Sequence, residues 1–189
     1  MRLFIGIELD EHVRERAAAI AESLRIQLGR RINARWIPAD TLHITLWFIG
    51  EVADDRAQEL LSALRAPFDE PSFDIHVAEL GAFPASGAPR VIWLGVQSGG
   101  ERLVRLHAEL AARLRPLGIE PEHRAYSAHL TIARVKDVPG GERDVQLRAA
   151  FSALPAVAGQ CRVAAVTVFR SRLSPKGAAY EPLLRVPLE

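Results

Sequence analysis

A chain of 189 residues, 49% apolar and 25% charged, has the balance of a globular protein and the length to bury a sizeable core, which excludes disordered and fibrous classes. A formal charge of +1 gives no bulk attraction for nucleic acid, so any contact with RNA must come from a local patch of the arginines that carry nearly all the positive charge. The single cysteine, Cys161, excludes an intramolecular disulfide and a cysteine-based zinc site.

Arg2 to Leu9 is apolar and rich in β-formers and predicts a buried strand. This apolar start is too short for the hydrophobic region of a secretory signal, and no apolar run approaches the ~18 residues of a membrane span. The expectation is a soluble, cytoplasmic protein. Asp10 is expected to cap a helix from Glu11 to about Leu28, ended by Gly29. Arg35–Ile37 reads as a short extended piece before Pro38, His43–Ile49 as a core strand stopped by Gly50, and Ala53–Ala66 as a helix ended by Pro67. Phe73, Ile75 and Val77 alternate with polar or small residues, the pattern of a half-exposed strand over Ser72–Leu80. Val91–Val96 is a further strand. Gly99-Gly100 precedes a helix over Glu101–Leu114, with Leu103, Leu106, Leu110 and Leu114 on one face. His129–Val135 predicts a strand like the one at His43. Residues 136–160 read as a loop with one short helix, and Arg162–Phe169 and Tyr180–Val186 as a closing strand pair. Strands and helices mixed in this way predict an α+β or α/β domain, and no stretch has the composition of a linker within residues 1–189.

Two segments repeat: Leu42-His43-Ile44-Thr45-Leu46 and Ala128-His129-Leu130-Thr131-Ile132, 86 residues apart. Random placement of six histidines and four threonines would give roughly 0.13 His-x-Thr triplets, yet there are two. On a strand, residues i and i+2 share a face. Each segment therefore projects an imidazole and a hydroxyl together, while Ile44, Leu46, Leu130 and Ile132 point the other way. A lone strand histidine is more often a satisfied core residue, and a lone threonine a β-branched strand former. The matched pairs favour two imidazoles facing one cleft with two hydroxyls ready to bond phosphoryl oxygens. One neutral and one protonated histidine suit acid–base cleavage of a cyclic phosphodiester, and both forms exist near neutrality. Two histidines without a carboxylate at ligand spacing make a poor metal site, so neither metal nor other cofactor is expected.

With these motifs, the chain resembles the 2H phosphoesterase superfamily, and within it the RNA 2′,3′-cyclic phosphodiesterases, also described as 2′-5′ RNA ligase-like. The likeness extends to Arg2–Ile7, Trp36-Ile37-Pro38, Phe48–Val52, Val91–Gly95, Ala133-Arg134 and Ser171–Tyr180. It implies an α+β, bilobal fold, with two pseudo-two-fold-related antiparallel sheets and outer helices around a central cleft. It further implies hydrolysis of an RNA or oligonucleotide terminal 2′,3′-cyclic phosphate to a 2′-phosphomonoester, with no membrane and no obligate protein partner. His43 would then be the proton donor, His129 the acceptor that activates water, and Thr45 and Thr131 the phosphate holders. Many relatives have proline before the second motif where this chain has Ala128.

Arg134 is a candidate phosphate contact, although strict alternation from His129 sends it to the opposite face unless the strand bulges. Trp36 and Tyr126 are candidate substrate contacts, Trp36 as an aromatic stacking surface. Alternation puts Phe48 in the core and Trp47 in the cleft. Arg172 and Lys176 read first as solvated surface charge, and His123 as a loop residue near the second motif. The competing functions are 2′-5′ RNA ligation by the reverse reaction, turnover of a small cyclic nucleotide, a non-catalytic RNA-end binding module, and a metal hydrolase.

Overall fold

The computed structural model describes residues 1–121, 124–138, 144–174 and 177–189, without the side chains of 144–147 and 173–174. His123 and Lys176 therefore lie outside the described residues. The strands are β1 (Arg2–Glu8), β2 (Asn33–Trp36), β3 (His43–Glu51), β4 (Phe73–Phe83), β5 (Val91–Ser98), β6 (His129–Asp137), β7 (Val157–Val163), β8 (Ala165–Ser174) and β9 (Gly177–Pro187). The helices are α1 (Glu11–Leu28), α2 (Asp54–Ala63), α3 (Gly100–Leu114) and α4 (Asp144–Ala153).

Helical periodicity is realised most plainly in α3, whose Leu103, Leu106, Leu110 and Leu114 are all fully buried. The α1 helix runs over its expected span and buries Val13, Ala17, Leu24 and Leu28. Asp10 does not cap it with its side chain; that carboxylate instead accepts the backbone N–H of Arg162 at 3.2 Å, tying the helix start to β7. The expected loop over 136–160 holds not only α4 but also the first half of β7. Its period-two signal is hidden because a register shift against β4 disrupts the alternation, so Ala158, Cys161 and Val163 are buried at uneven spacing.

The strands form one antiparallel sheet in the order β7-β4-β5-β6-β3-β1-β8-β9, with β2 paired to β6. Read outward from its centre, the order repeats: β3-β1-β8-β9 on one side, β6-β5-β4-β7 on the other. The units β1-α1-β3 and β5-α3-β6 correspond. The two sheets expected from the resemblance are thus two halves of one sheet, joined where β3 meets β6 through a single residue pair, Ile44 opposite Leu130. β3 and β6 pair at this one position, and further along β6 the partner is β2, opposite Ala133–Asp137. The helices lie crosswise: α1 packs against β7 and β6, and α3 against β3 as well as β5. Ile44, Leu46, Leu130 and Ile132 join the buried helix faces in one core cluster. The other face of β3 and β6 is left to polar residues.

Candidate active site

The geometry of the site starts from the junction of the halves. With Ile44 opposite Leu130 in antiparallel register, His43 stands beside Thr131, and Thr45 beside His129. The four residues share the face opposite Ile44 and Leu130, with the two histidines diagonal to each other across the junction. On a regular ladder such a diagonal spans about 7–8 Å between residue positions. The four residues are each part-exposed, whereas their strand neighbours Ile44, Leu46, Leu130 and Ile132 are buried.

Each imidazole is oriented by its own chain. His43 Nδ1 lies 2.7 Å from the carbonyl oxygen of Thr41, and His129 Nδ1 lies 2.7 Å from that of Ser127. A carbonyl only accepts, so Nδ1 carries the proton in both rings. Nε2 is left as the atom that gains or gives a proton at the cleft. Aromatic rings hold the imidazoles from the sides: Phe4 and Tyr180 at 4.7 and 5.0 Å from His43, Phe83 at 5.1 Å from His129. Burial pushes both histidines below their usual pKa, opposed by the carbonyl bonds, and positive charge lowers them further. For His43 that charge is Arg134; for His129 it is Arg124 together with Arg134.

Arg134 thus acts on both imidazoles, and the backbone explains how. In β6, Trp93 pairs with Thr131 but Ile92 pairs with Ala133, so Ile132 is an extra residue. Ile132 and Ala133 are consecutively buried, and the next residue, Arg134, returns to the histidine face. The same step occurs in β3, where Gly6 pairs with Thr45 but Ile5 pairs with Trp47. Leu46 and Trp47 are consecutively buried, and Phe48 emerges 50% exposed. Simple alternation therefore misassigns Phe48, which emerges at the hollow beside His129; Trp47 lines the same hollow but is 5% exposed and stacked on His107 at 4.8 Å. By the pseudo-two-fold, Phe48 and Arg134 are equivalents. Gly6 sits opposite Thr45 because a Cβ there would fall 2.7 Å from the Ile44 carbonyl oxygen.

Tyr126 stands behind the site. Its ring stacks on His107 at 4.5 Å, its hydroxyl donates to the Thr45 carbonyl oxygen at 3.1 Å, and burial raises its pKa. It borders a hollow beside His129 together with Thr45, Phe48, Arg124 and Ser127. Trp36 is placed differently: opposite Ala133 on β6, packed against the core, and in neither of the hollows that flank the histidines. Its neighbour Arg35 stands opposite Arg134. Arg124 is the site residue that sequence reasoning passed over; it lies in an irregular segment with no periodicity to aim it, and its guanidinium rests 5.4 Å from the Phe83 ring centre. Among the described residues, no three His, Cys, Asp or Glu gather to hold a metal ion.

The sequence model of the 2′-5′ RNA ligase superfamily matches residues 9–174. A curated RNA 2′,3′-cyclic phosphodiesterase of Archaeoglobus fulgidus is 32% identical over 183 residues, spanning 97% of this chain and 98% of the relative. One of Thermotoga maritima, bearing the same name, is 32% identical over 190 residues, spanning 100% and 96%. Among solved structures, Escherichia coli LigT complexed with 3′-AMP superposes with a TM-score of 0.74 at 26% identity, covering 99% of this chain and 97% of that one.

Proposed function

Because the chain belongs to the 2′-5′ RNA ligase superfamily, we propose that it hydrolyses the 2′,3′-cyclic phosphate at an RNA or oligonucleotide 3′ end to a 2′-phosphomonoester. The observation that carries this reading is the matched pair of imidazoles on adjoining strands, each with Nδ1 bonded to a backbone carbonyl and Nε2 left for proton transfer. Neutral His129 Nε2 takes a proton from water as its oxygen attacks phosphorus. The bond from phosphorus to the 3′ oxygen breaks in line, and protonated His43 Nε2 gives its proton to that oxygen. The 2′ ester bond survives, and solvent resets the two rings. Arg124 and Arg134 both lower the pKa of His129, whereas Arg134 alone lowers that of His43, and this supports the division of roles, since added positive charge favours the neutral base. The Thr45 and Thr131 hydroxyls and the Arg134 guanidinium donate to the non-bridging oxygens, where charge builds in the transition state.

The same in-line step, with an RNA 5′-hydroxyl attacking phosphorus in place of water and the 3′ oxygen again leaving, joins two ends by a 2′-5′ bond, the activity for which the superfamily is named. RNA ends are the proposed partner and the cytoplasm the proposed location; no described helix is long and apolar enough to cross a membrane. The test is incubation with a cyclic-phosphate-ended oligonucleotide in EDTA, followed by mapping of the product. A 2′-phosphomonoester is expected. Intact cyclic ends at micromolar enzyme would refute the reading, and turnover abolished by the chelator would return it to metal chemistry.

A further inference from the structure

Beside His43, and sharing no lining residue with the hollow at His129, lies a second hollow lined among others by Glu8, Arg14, Asp40, Thr41, His43 and Tyr180. Arg14 reaches it from α1. Its Nε is buried, and among the described residues nothing accepts a hydrogen bond from it and no carboxylate pairs with its charge. That sets Arg14 apart: among the described residues only its Nε and the Trp93 Nε1 are buried side-chain polar atoms without a hydrogen-bond partner. Glu8, in the same hollow, is no partner: its carboxylate already accepts the Thr167 hydroxyl at 2.9 Å and Arg185 Nε at 2.8 Å. Asp40 stands exposed at the rim, with no ion pair among the described residues. A part-buried guanidinium without an acceptor is costly to keep unless an anion arrives to use it.

The chemistry of the substrate says which anion. In a 2′,3′-cyclic phosphate the 3′ oxygen hangs from C3′, next to C4′, which carries C5′ and the chain toward the preceding phosphate. The 2′ oxygen hangs from C2′, next to C1′, which carries the base. If His43 protonates the 3′ oxygen, the chain leaves the cleft on the His43 side and the base on the other. We propose that Arg14 and the hollow beside His43 form a subsite for the phosphodiester that precedes the cyclic end, so that the enzyme selects an oligonucleotide end over a mononucleotide. Asp40, an acceptor at the rim, suits a ribose hydroxyl of the preceding nucleotide. This inference rests on the cyclic phosphodiesterase reading.

The experiment compares kcat/KM for a 2′,3′-cyclic mononucleotide and for a dinucleotide with the same terminal nucleoside, using the wild type, Arg14→Gln and Arg14→Lys. The wild type should prefer the dinucleotide by about 10- to 150-fold, the worth of a hydrogen bond to a charged group. In Arg14→Gln this ratio should fall toward one, through KM rather than kcat, and Arg14→Lys should keep part of it. A methylphosphonate at the internucleotide linkage, which removes its charge, should erase the wild-type preference and have no further effect on Arg14→Gln. Because that probe acts on the unaltered protein, a poorly folded variant does not blunt the test. A wild-type ratio near one, a ratio that survives Arg14→Gln, or additive effects of the variant and the methylphosphonate would overturn the subsite. No wild-type turnover of either substrate would instead remove the reading beneath it, and the subsite with it.

Discussion

Replacing Arg134 with glutamine removes a positive charge that acts on both imidazoles and, in the proposed reaction, on the phosphoryl oxygens. The side chain reaches them only because Ile132 is an extra residue in β6, which turns Arg134 back to the histidine face. A hydrogen bond from a charged group contributes about 1.5–3 kcal/mol, so kcat/KM should fall by about 10- to 150-fold. The pH dependence supplies a second, independent reading. Burial is the main cause of the lowered histidine pKa values, and Arg134 adds to it in both rings. Neutral His129 is required on the acid limb and protonated His43 on the basic limb, so the wild-type kcat/KM bell should centre below the ordinary histidine pKa of about 6.5. Without Arg134 both rings hold protons more tightly, and both limbs should move to higher pH. The assay is initial-rate hydrolysis of a cyclic-phosphate-ended oligonucleotide in EDTA across that range, with Arg134→Lys as an intermediate that keeps charge but loses the planar fork. A variant within twofold of wild type, with both limbs unmoved, would show that the guanidinium does not serve the cleft.

His129→Ala should lower kcat/KM by about 10²–10⁴-fold and flatten the acid limb, and His43→Ala should do the same to the basic limb; pH–rate profiles of the two variants check the division of labour, and exchanged limbs would reverse it. Gly6→Ala sets a Cβ 2.7 Å from the Ile44 carbonyl oxygen, so it should destabilise the fold by about 1–3 kcal/mol in urea titrations and also reduce turnover, because the displaced backbone carries His43. Unaltered kcat in a destabilised Gly6→Ala protein would mean that the strand yields without moving the ring.

What was legible in the chain was what depends on local rules. The leucine stripe of α3 needs only a helix, and the pairing of His43 with Thr45 and of His129 with Thr131 needs only a strand. The positions lost to sequence reasoning follow a physical break in those rules. One extra residue in β3 and one in β6 invert the alternation, so Phe48 and Arg134 emerge at the surface and Trp47 is buried. The signal was present as two adjacent apolar residues, Leu46-Trp47 and Ile132-Ala133, but only pairing with β1 and β5 reveals which residue is extra. The uneven β7 was obscured in the same way. Local rules make Asp10 a cap, while the actual partner of its carboxylate, the Arg162 amide, is distant in sequence. Arg124 and Arg14 are aimed by tertiary packing alone.

The aim of the two imidazoles and the gap between them are under separate control. Aim is a short-range matter, settled by the carbonyls of Thr41 and Ser127 within each chain segment. The gap depends on how tightly the halves of the sheet are drawn together at Ile44 and Leu130, whose side chains are wholly sunk in apolar packing. Trimming or enlarging either side chain would therefore act as a vernier on the reach between acid and base, tuning which phosphorus-bearing group fits, with every polar atom of the site left untouched.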